Sequence, residues 1–145
     1  MAIARLPDRP LLHPLHAILL AFPVALFTGC LIADIAYLNT AEIQWSNFAA
    51  WMNAGGLLMG GVVIVWAILA ALSRRGGPLA GRAIAYLMLL ALMWIIGLVN
   101  AFQHGRDGWS SVGSLGVMLS VLTALLALIA SWIGHAAVYA REARP

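Results

Sequence analysis

Residues 48–72 read FAAWMNAGGLLMGGVVIVWAILAAL, and this stretch decides the fold because it is apolar apart from Asn53 and contains no charged side chain. An α-helix needs about 20 such residues to cross about 30 Å of hydrocarbon. Three further apolar runs of at least that length lie at residues 15–38, 83–102 and 112–139. The sequence therefore predicts four membrane-spanning helices, which make up a single transmembrane domain over residues 1–145.

The composition supports a membrane protein made of helices. Hydrophobic residues make up 63% of the chain and charged residues only 9%, whereas a water-soluble domain carries about 25% charged residues. In lipid, the backbone must satisfy its own hydrogen bonds within a helix or a closed barrel, and these runs are too long for barrel strands. We therefore expect an all-α, integral membrane four-helix bundle, which the short connections make antiparallel.

The arginines predict the orientation in the membrane. All eight basic residues are arginines, and seven of them fall in the N-terminus, the second connection or the C-terminus: Arg5, Arg9, Arg74, Arg75, Arg82, Arg141 and Arg144. The positive-inside rule then places both termini in the cytoplasm. Since the arginines lie beside helix ends and form no basic patch, the pI of about 9.8 indicates no nucleic-acid partner. We expect the partner of the helices to be the lipid bilayer.

Three histidines form the first group of candidate ligands. His13 and His16 lie one turn apart at the start of the first helix, and His135 lies near the end of the fourth. If those two helices are neighbours, the three imidazoles reach one depth, and facing imidazoles are how a bundle holds a haem iron or a metal ion. Alternatively, histidines at a membrane interface cap carbonyls or meet lipid headgroups.

A stripe of small residues on the fourth helix leads to His135. Its members recur at spacings of three and four: Gly113, Gly116, Ser120, Ala124, Ala127, Ser131 and His135. Small residues allow helices to approach closely in lipid. We expect this stripe, and the Gly56-xxx-Gly60 pattern of the second helix, to face the bundle interior.

A second group of polar residues lies towards the other end of the helices. Its members are Asp34, Asn53, Asn100, His104, Arg106 and Asp107. An aspartate within a span costs about 2.5–3.5 kcal/mol, so it should face the interior and find a partner. Asp34 follows His16 by eighteen residues, which is five helical turns and therefore the same face.

Asn100 and His104 are four residues apart and share a face of the third helix, where they can meet Asp34. A carboxylate that orients an imidazole suits a proton relay or the support of a ligand. The alternative is a buried hydrogen-bond network that holds three helices together. We interpret Arg106 and Asp107 as a salt bridge within the connection.

The rest of the chain offers little catalytic chemistry. The single cysteine, Cys30, excludes an intrachain disulfide and is interpreted as a small apolar filler. The sequence contains no phosphate-binding loop, cysteine pair, zinc-protease motif or nucleophile elbow. We therefore expect that the chain is not an enzyme on its own.

Several stretches together resemble an uncharacterised bacterial family of membrane proteins, domain of unknown function 2231 (DUF2231). They are HPLH at 13–16, AFPVA at 21–25, ADIAY at 33–37, the aromatic residues Trp45, Phe48 and Trp51, and QHGRDGWSS at 103–111. The resemblance covers nearly the whole chain and implies a four-helix protein of the bacterial inner membrane with no assigned activity.

The same resemblance suggests a role in electron transfer. Some members of the family are joined to Rieske iron–sulfur or cytochrome-type domains, which implies a nearby b-type haem. This chain departs from the family after Gly134, where a glycine-rich pattern and a terminal His-Gly segment are missing and His135 replaces a small residue. The resemblance therefore implies that any redox partner is a separate protein.

Two functional hypotheses follow. The first is a b-type haem electron-transfer component with ligands among His13, His16 and His135. The second is a structural or assembly subunit of a membrane complex without a cofactor.

Overall fold

The structure is a computed structural model that describes residues 13–73, 80–106 and 112–142. Over these residues it contains four long helices: α1 Pro14–Thr40, α2 Ile43–Ser73, α3 Ala80–His104 and α4 Ser114–Glu142. All four are long and apolar enough to cross a membrane. The prediction of an all-helical chain with four apolar helices, compatible with a membrane bundle, is confirmed.

The first connection is shorter than the apolar runs indicate. The Nδ1 atom of His13 accepts the backbone N–H of Leu15 and caps the start of α1. α1 ends at Thr40, and the next residue, Ala41, has a left-handed φ of 57° and donates its backbone N–H to the carbonyl of Tyr37. α2 then starts at Ile43, although its continuous apolar run begins only at residue 48. Hydropathy shows where a helix is apolar and misses a first turn that is partly polar.

Each helix packs against the next one in the chain, and α4 packs against α1, so that the described helices close into a ring of four. Within the most apolar part of each helix, only 22–33% of the residues are buried inside the bundle. The outward side chains are large and apolar, and Trp51 and Trp132 are 71% and 79% exposed. An apolar surface of this extent on every helix is suited to lipid.

The centre of the bundle is filled by Phe27 of α1, which is 1% exposed. A Cβ atom added at Gly56 would lie 2.6 Å from the Phe27 ring, and one added at Gly97 would lie 3.3 Å from it. Glycine at these two positions lets α2 and α3 approach the ring closely. Gly56 and Gly60 are both buried, so the predicted small-residue face of α2 is confirmed.

Contacts between α1 and α3, which lie diagonally across the ring, keep a constant spacing. His16 meets Tyr86, Phe27 meets Gly97, and Asp34 meets His104, each pair being 70 positions apart. We call this line of contacts the α1–α3 seam. It spans residues 16–34 of α1 and 86–104 of α3.

The small-residue stripe of α4 only partly faces the interior. Gly116, Ser120, Ala124 and Ala127 are buried, but Gly113 is exposed and Ser131 and His135 are half-buried. The buried face continues through Ala130 and Gly134 instead. Spacings of four advance faster than the 3.6 residues of a helical turn, so the end of the stripe rotates away from the interior.

Candidate functional site

The most concentrated polar chemistry in the described structure lies at the end of the α1–α3 seam where Asp34 meets His104. The two side chains are 0% and 1% exposed. The Nε2 atom of His104 lies 2.8 Å from Oδ1 of Asp34. An aspartate inside a span thus has the buried partner that its desolvation requires.

The second ring nitrogen determines how many protons this pair holds. His104 Nδ1 lies 2.9 Å from the carbonyl oxygen of Asn100, which can only accept, so Nδ1 donates its hydrogen there. One proton therefore lies between Nε2 of His104 and Oδ1 of Asp34. The pair is neutral overall whichever of the two atoms carries that proton.

Three more side chains complete the site. The hydroxyl of Ser120 in α4 donates to Oδ2 of Asp34 at 2.5 Å and accepts the Nδ2 amide of Asn100 at 2.8 Å. The Sγ atom of Cys30 lies 3.8 Å from Oδ2 of Asp34 and 3.5 Å from the Ser120 hydroxyl. We call Cys30, Asp34, Asn100, His104 and Ser120 the Asp34 cluster.

The cluster joins three helices, since α1 supplies Cys30 and Asp34, α3 supplies Asn100 and His104, and α4 supplies Ser120. Such a network fixes how these helices pack. Its thiol, carboxylate and imidazole are also metal-binding groups, and one ligand atom from each lies within 4.8 Å of the other two.

The other end of the seam holds two of the predicted histidine ligands. His16 is 2% exposed, and its Nε2 lies 2.9 Å from the hydroxyl of Tyr86. The ring of Trp66 lies 5.9 Å from that of His16 and 5.6 Å from that of His13. We call these four residues the His16 cluster. His13 itself is exposed and caps the start of α1 by accepting a backbone N–H, whereas the alternative interpretation had such histidines cap carbonyls or meet headgroups.

His135 is the third predicted histidine ligand and lies in a different environment. It lines a groove of about 590 Å³ between α1 and α4, opposite Ala17 and Ala21. Its Nδ1 donates to the carbonyl of Ser131 at 2.7 Å. Among the described residues, the three histidines do not form a group of neighbouring ligand atoms like that of Cys30, Asp34 and His104.

The comparison with known families agrees with a membrane protein. The family model of a predicted membrane protein, DUF2231, matches residues 12–144. The chain belongs to the DUF2231 family. The resemblance seen in the sequence is thereby confirmed. No curated protein and no solved structure matches the chain.

The remaining predicted site residues of this DUF2231 chain do not join the Asp34 cluster. Asn53 donates to the carbonyl of Gly97 at 3.0 Å and links α2 to α3. Arg106 is exposed and donates to Gln103 at 3.3 Å. Asp107, and with it the predicted salt bridge to Arg106, lies outside the described residues.

Sequence reasoning missed two members of the Asp34 cluster. Cys30 was interpreted as a filler, although it precedes Asp34 by four residues and therefore shares its face. Ser120 was assigned only to packing. Tyr86, the partner of His16, was missed as well. Its distance of eighteen residues from His104 equals the distance of His16 from Asp34, and this matching interval was the available signal.

Proposed function

We propose that this DUF2231 chain is a multi-pass protein of the bacterial inner membrane with an antiparallel bundle and both termini in the cytoplasm. The constant 70-residue spacing along the α1–α3 seam supports α1 and α3 running in the same direction. The contact of Asn53, early in α2, with Gly97, late in α3, supports opposite directions for sequential helices. The distribution of arginines supports the orientation.

Within that membrane, we propose that the protein acts as a structural or assembly subunit of a larger complex. The observation that carries this proposal is the α1–α3 seam, along which the protein's own side chains contact one another at both ends and in the middle. Hydrogen-bonded clusters occupy both ends, and Phe27 occupies the middle. A bundle with so well packed an interior is suited to presenting a rigid outer surface.

The outer surface of α1 supports a role in assembly. Ala17, Ala21 and Ala25 recur every four residues along the groove between α1 and α4. Small residues at this spacing allow the backbone of a neighbouring transmembrane helix to come close. A partner helix seated there would bury apolar surface that the described chain leaves open.

Native gel electrophoresis of mildly solubilised membranes tests this function. The expected result is that the chain migrates in a particle larger than its own bundle in detergent. The replacement Ala21→Leu fills the groove and should shift the chain to the free bundle, whereas Leu58→Ala, on the exposed side of α2, should not. A native chain that migrates only as a free bundle contradicts the assembly role.

The haem electron-transfer role is the second candidate, and the position of His135 is the observation that favours it. This imidazole lines the groove beside small side chains that leave open volume. His16 is a less suitable ligand because its Nε2 is hydrogen-bonded to Tyr86 inside the bundle. His13 is exposed at the end of α1.

A visible spectrum of the protein purified from haem-replete cells, before and after reduction, tests this candidate. A redox-sensitive Soret band at about one haem per chain, lost in His135→Ala, would support electron transfer. A colourless protein would contradict it. An electron-transfer role also requires a redox partner protein.

A further inference from the structure

The Asp34 cluster contains a thiol, a carboxylate and an imidazole that converge from two helices. We propose that Cys30, Asp34 and His104 bind one divalent metal ion of the zinc type. Sulfur, carboxylate oxygen and imidazole nitrogen are the three kinds of ligand that Zn²⁺ takes in proteins. The hydroxyl of Ser120, or a water molecule, provides the fourth position of a tetrahedral site.

The spacing of the three ligand atoms suits such an ion. In a tetrahedral zinc site with bonds of about 2.0–2.3 Å, neighbouring ligand atoms lie roughly 3.3–3.6 Å apart. The separation of His104 Nε2 from Asp34 Oδ1 is 2.8 Å, and that of Cys30 Sγ from Asp34 Oδ2 is 3.8 Å. The two distances end on different oxygens of Asp34, and the ligand atoms of all three side chains lie within 4.8 Å of one another. Side-chain movements of roughly 0.5–1 Å therefore bring them to the required spacing.

The hydrogen bonds around the cluster already orient its ligands. A histidine that binds a metal generally donates its other ring N–H to a carbonyl or carboxylate. His104 does this, because Nδ1 donates to the carbonyl of Asn100 while Nε2 points at Asp34. The hydroxyl of Ser120 holds the second carboxylate oxygen in place.

The charge of the site selects a divalent ion. A thiolate and a carboxylate together with a neutral imidazole carry two negative charges, which one divalent cation neutralises. Binding therefore releases two protons to solvent, one from Cys30 and the one shared by Asp34 and His104. A neutral centre is required at this depth because a net charge within a span is costly. α2 faces Cys30 with Ala49 and Met52, which add no charge.

An unsatisfied oxygen within the Asp34 cluster also indicates a ligand. Asn100 is fully buried and its amide nitrogen donates to Ser120, but its Oδ1 has no hydrogen-bond partner among the described residues. A buried acceptor left without a donor costs about 1–3 kcal/mol. A water molecule bound to the metal would provide that donor.

Cobalt binding to the full-length chain tests the proposal. The protein is purified in detergent without a polyhistidine tag, stripped with a chelator and titrated with Co²⁺ alone. We expect one ion per chain and a near-ultraviolet sulfur-to-cobalt charge-transfer band, which Zn²⁺ abolishes by displacement. Since Cys30 is the single cysteine of the chain, a thiolate-to-cobalt band in the native protein can arise only there.

Three variants sharpen the test. Cys30→Ala should abolish the charge-transfer band, and Asp34→Asn should weaken Co²⁺ binding at least tenfold. Glu42→Gln removes the negative charge of an exposed carboxylate and should leave binding unchanged. Stoichiometric binding without the sulfur band, no binding to the native protein, or equal weakening by Asp34→Asn and Glu42→Gln would overturn the metal site. The assembly role does not depend on any of these results.

Discussion

The two ends of the α1–α3 seam join the same two helices through different side-chain chemistry. At one end, His16 pairs with the hydroxyl of Tyr86 beside the ring of Trp66. At the other end, His104 pairs with the carboxylate of Asp34. In both pairs an imidazole reaches across the bundle to a residue 70 positions away.

The partners around each imidazole account for the difference between the two ends. Tyr86 offers a neutral hydroxyl, and Trp66 gives the His16 cluster an aromatic wall. The Asp34 cluster instead draws polar groups from three helices around one carboxylate. We infer that the His16 cluster serves mainly packing, whereas the Asp34 cluster also provides chemistry for a ligand.

The largest expected loss of stability comes from removing the Phe27 ring, which lies between the two clusters. Phe27→Ala removes the ring packed against Gly56 and Gly97, and such a cavity typically costs about 3–5 kcal/mol. Unfolding in mixed detergent micelles, followed by circular dichroism, measures the loss. Phe22→Ala is the matched control because Phe22 is 48% exposed on the same helix. Equal losses for both variants would contradict the packed seam.

The next largest loss of stability is expected at the Asp34 cluster. Asp34→Ala leaves His104 and Ser120 without their acceptor, so the free energy of unfolding should fall by about 1–3 kcal/mol. The exposed Glu42 provides the control, and Glu42→Ala should change stability by less than about 0.5 kcal/mol. The same unfolding assay gives both values. A loss from Asp34→Ala no larger than that from Glu42→Ala would show that the cluster does not hold the helices.

The smallest effect is expected at the His16 cluster. Tyr86→Phe deletes one hydroxyl and keeps the ring, and a hydrogen bond between membrane helices is worth about 0.6 kcal/mol on average. Tyr37→Phe, on a half-buried ring near the end of α1, should lower the free energy of unfolding by even less. If Tyr86→Phe lowered the free energy of unfolding more than Asp34→Ala, the His16 cluster would contribute more to stability than the Asp34 cluster, contrary to this prediction.

Much of the fold could be predicted from hydropathy, since each apolar run became one helix. The face of α1 that lines the α1–α3 seam could also be predicted, because His16 and Asp34 are separated by a whole number of turns, and the structure shows both buried. The start of α2 at Ile43 could not, since its first turn contains polar residues that an apolar run excludes. The rotation of His135 away from the interior was missed because a stripe with spacings of four was treated as one straight face.

The composition of the site was harder to predict than its position. Asp34, Asn100 and His104 were assigned to one group from their shared faces, and the structure brings them together. Cys30 and Ser120 are small and common inside membrane helices, so nothing in their type alone marks them as partners of a carboxylate. The four-residue spacing already puts Cys30 on the face of Asp34, whereas the place of Ser120 follows only from which helices are neighbours, and this is tertiary information.

A pair of double-mutant cycles tests the central claim, that the Asp34–His104 contact is the stronger of the two diagonal links. Unfolding free energies of Asp34→Ala, His104→Ala and the double variant give the coupling of one pair, and the same set for His16 and Tyr86 gives the other. The account predicts a coupling of about 1.5 kcal/mol or more for Asp34–His104 and about 0.6 kcal/mol for His16–Tyr86. Additivity within about 0.5 kcal/mol for Asp34 and His104 would contradict it.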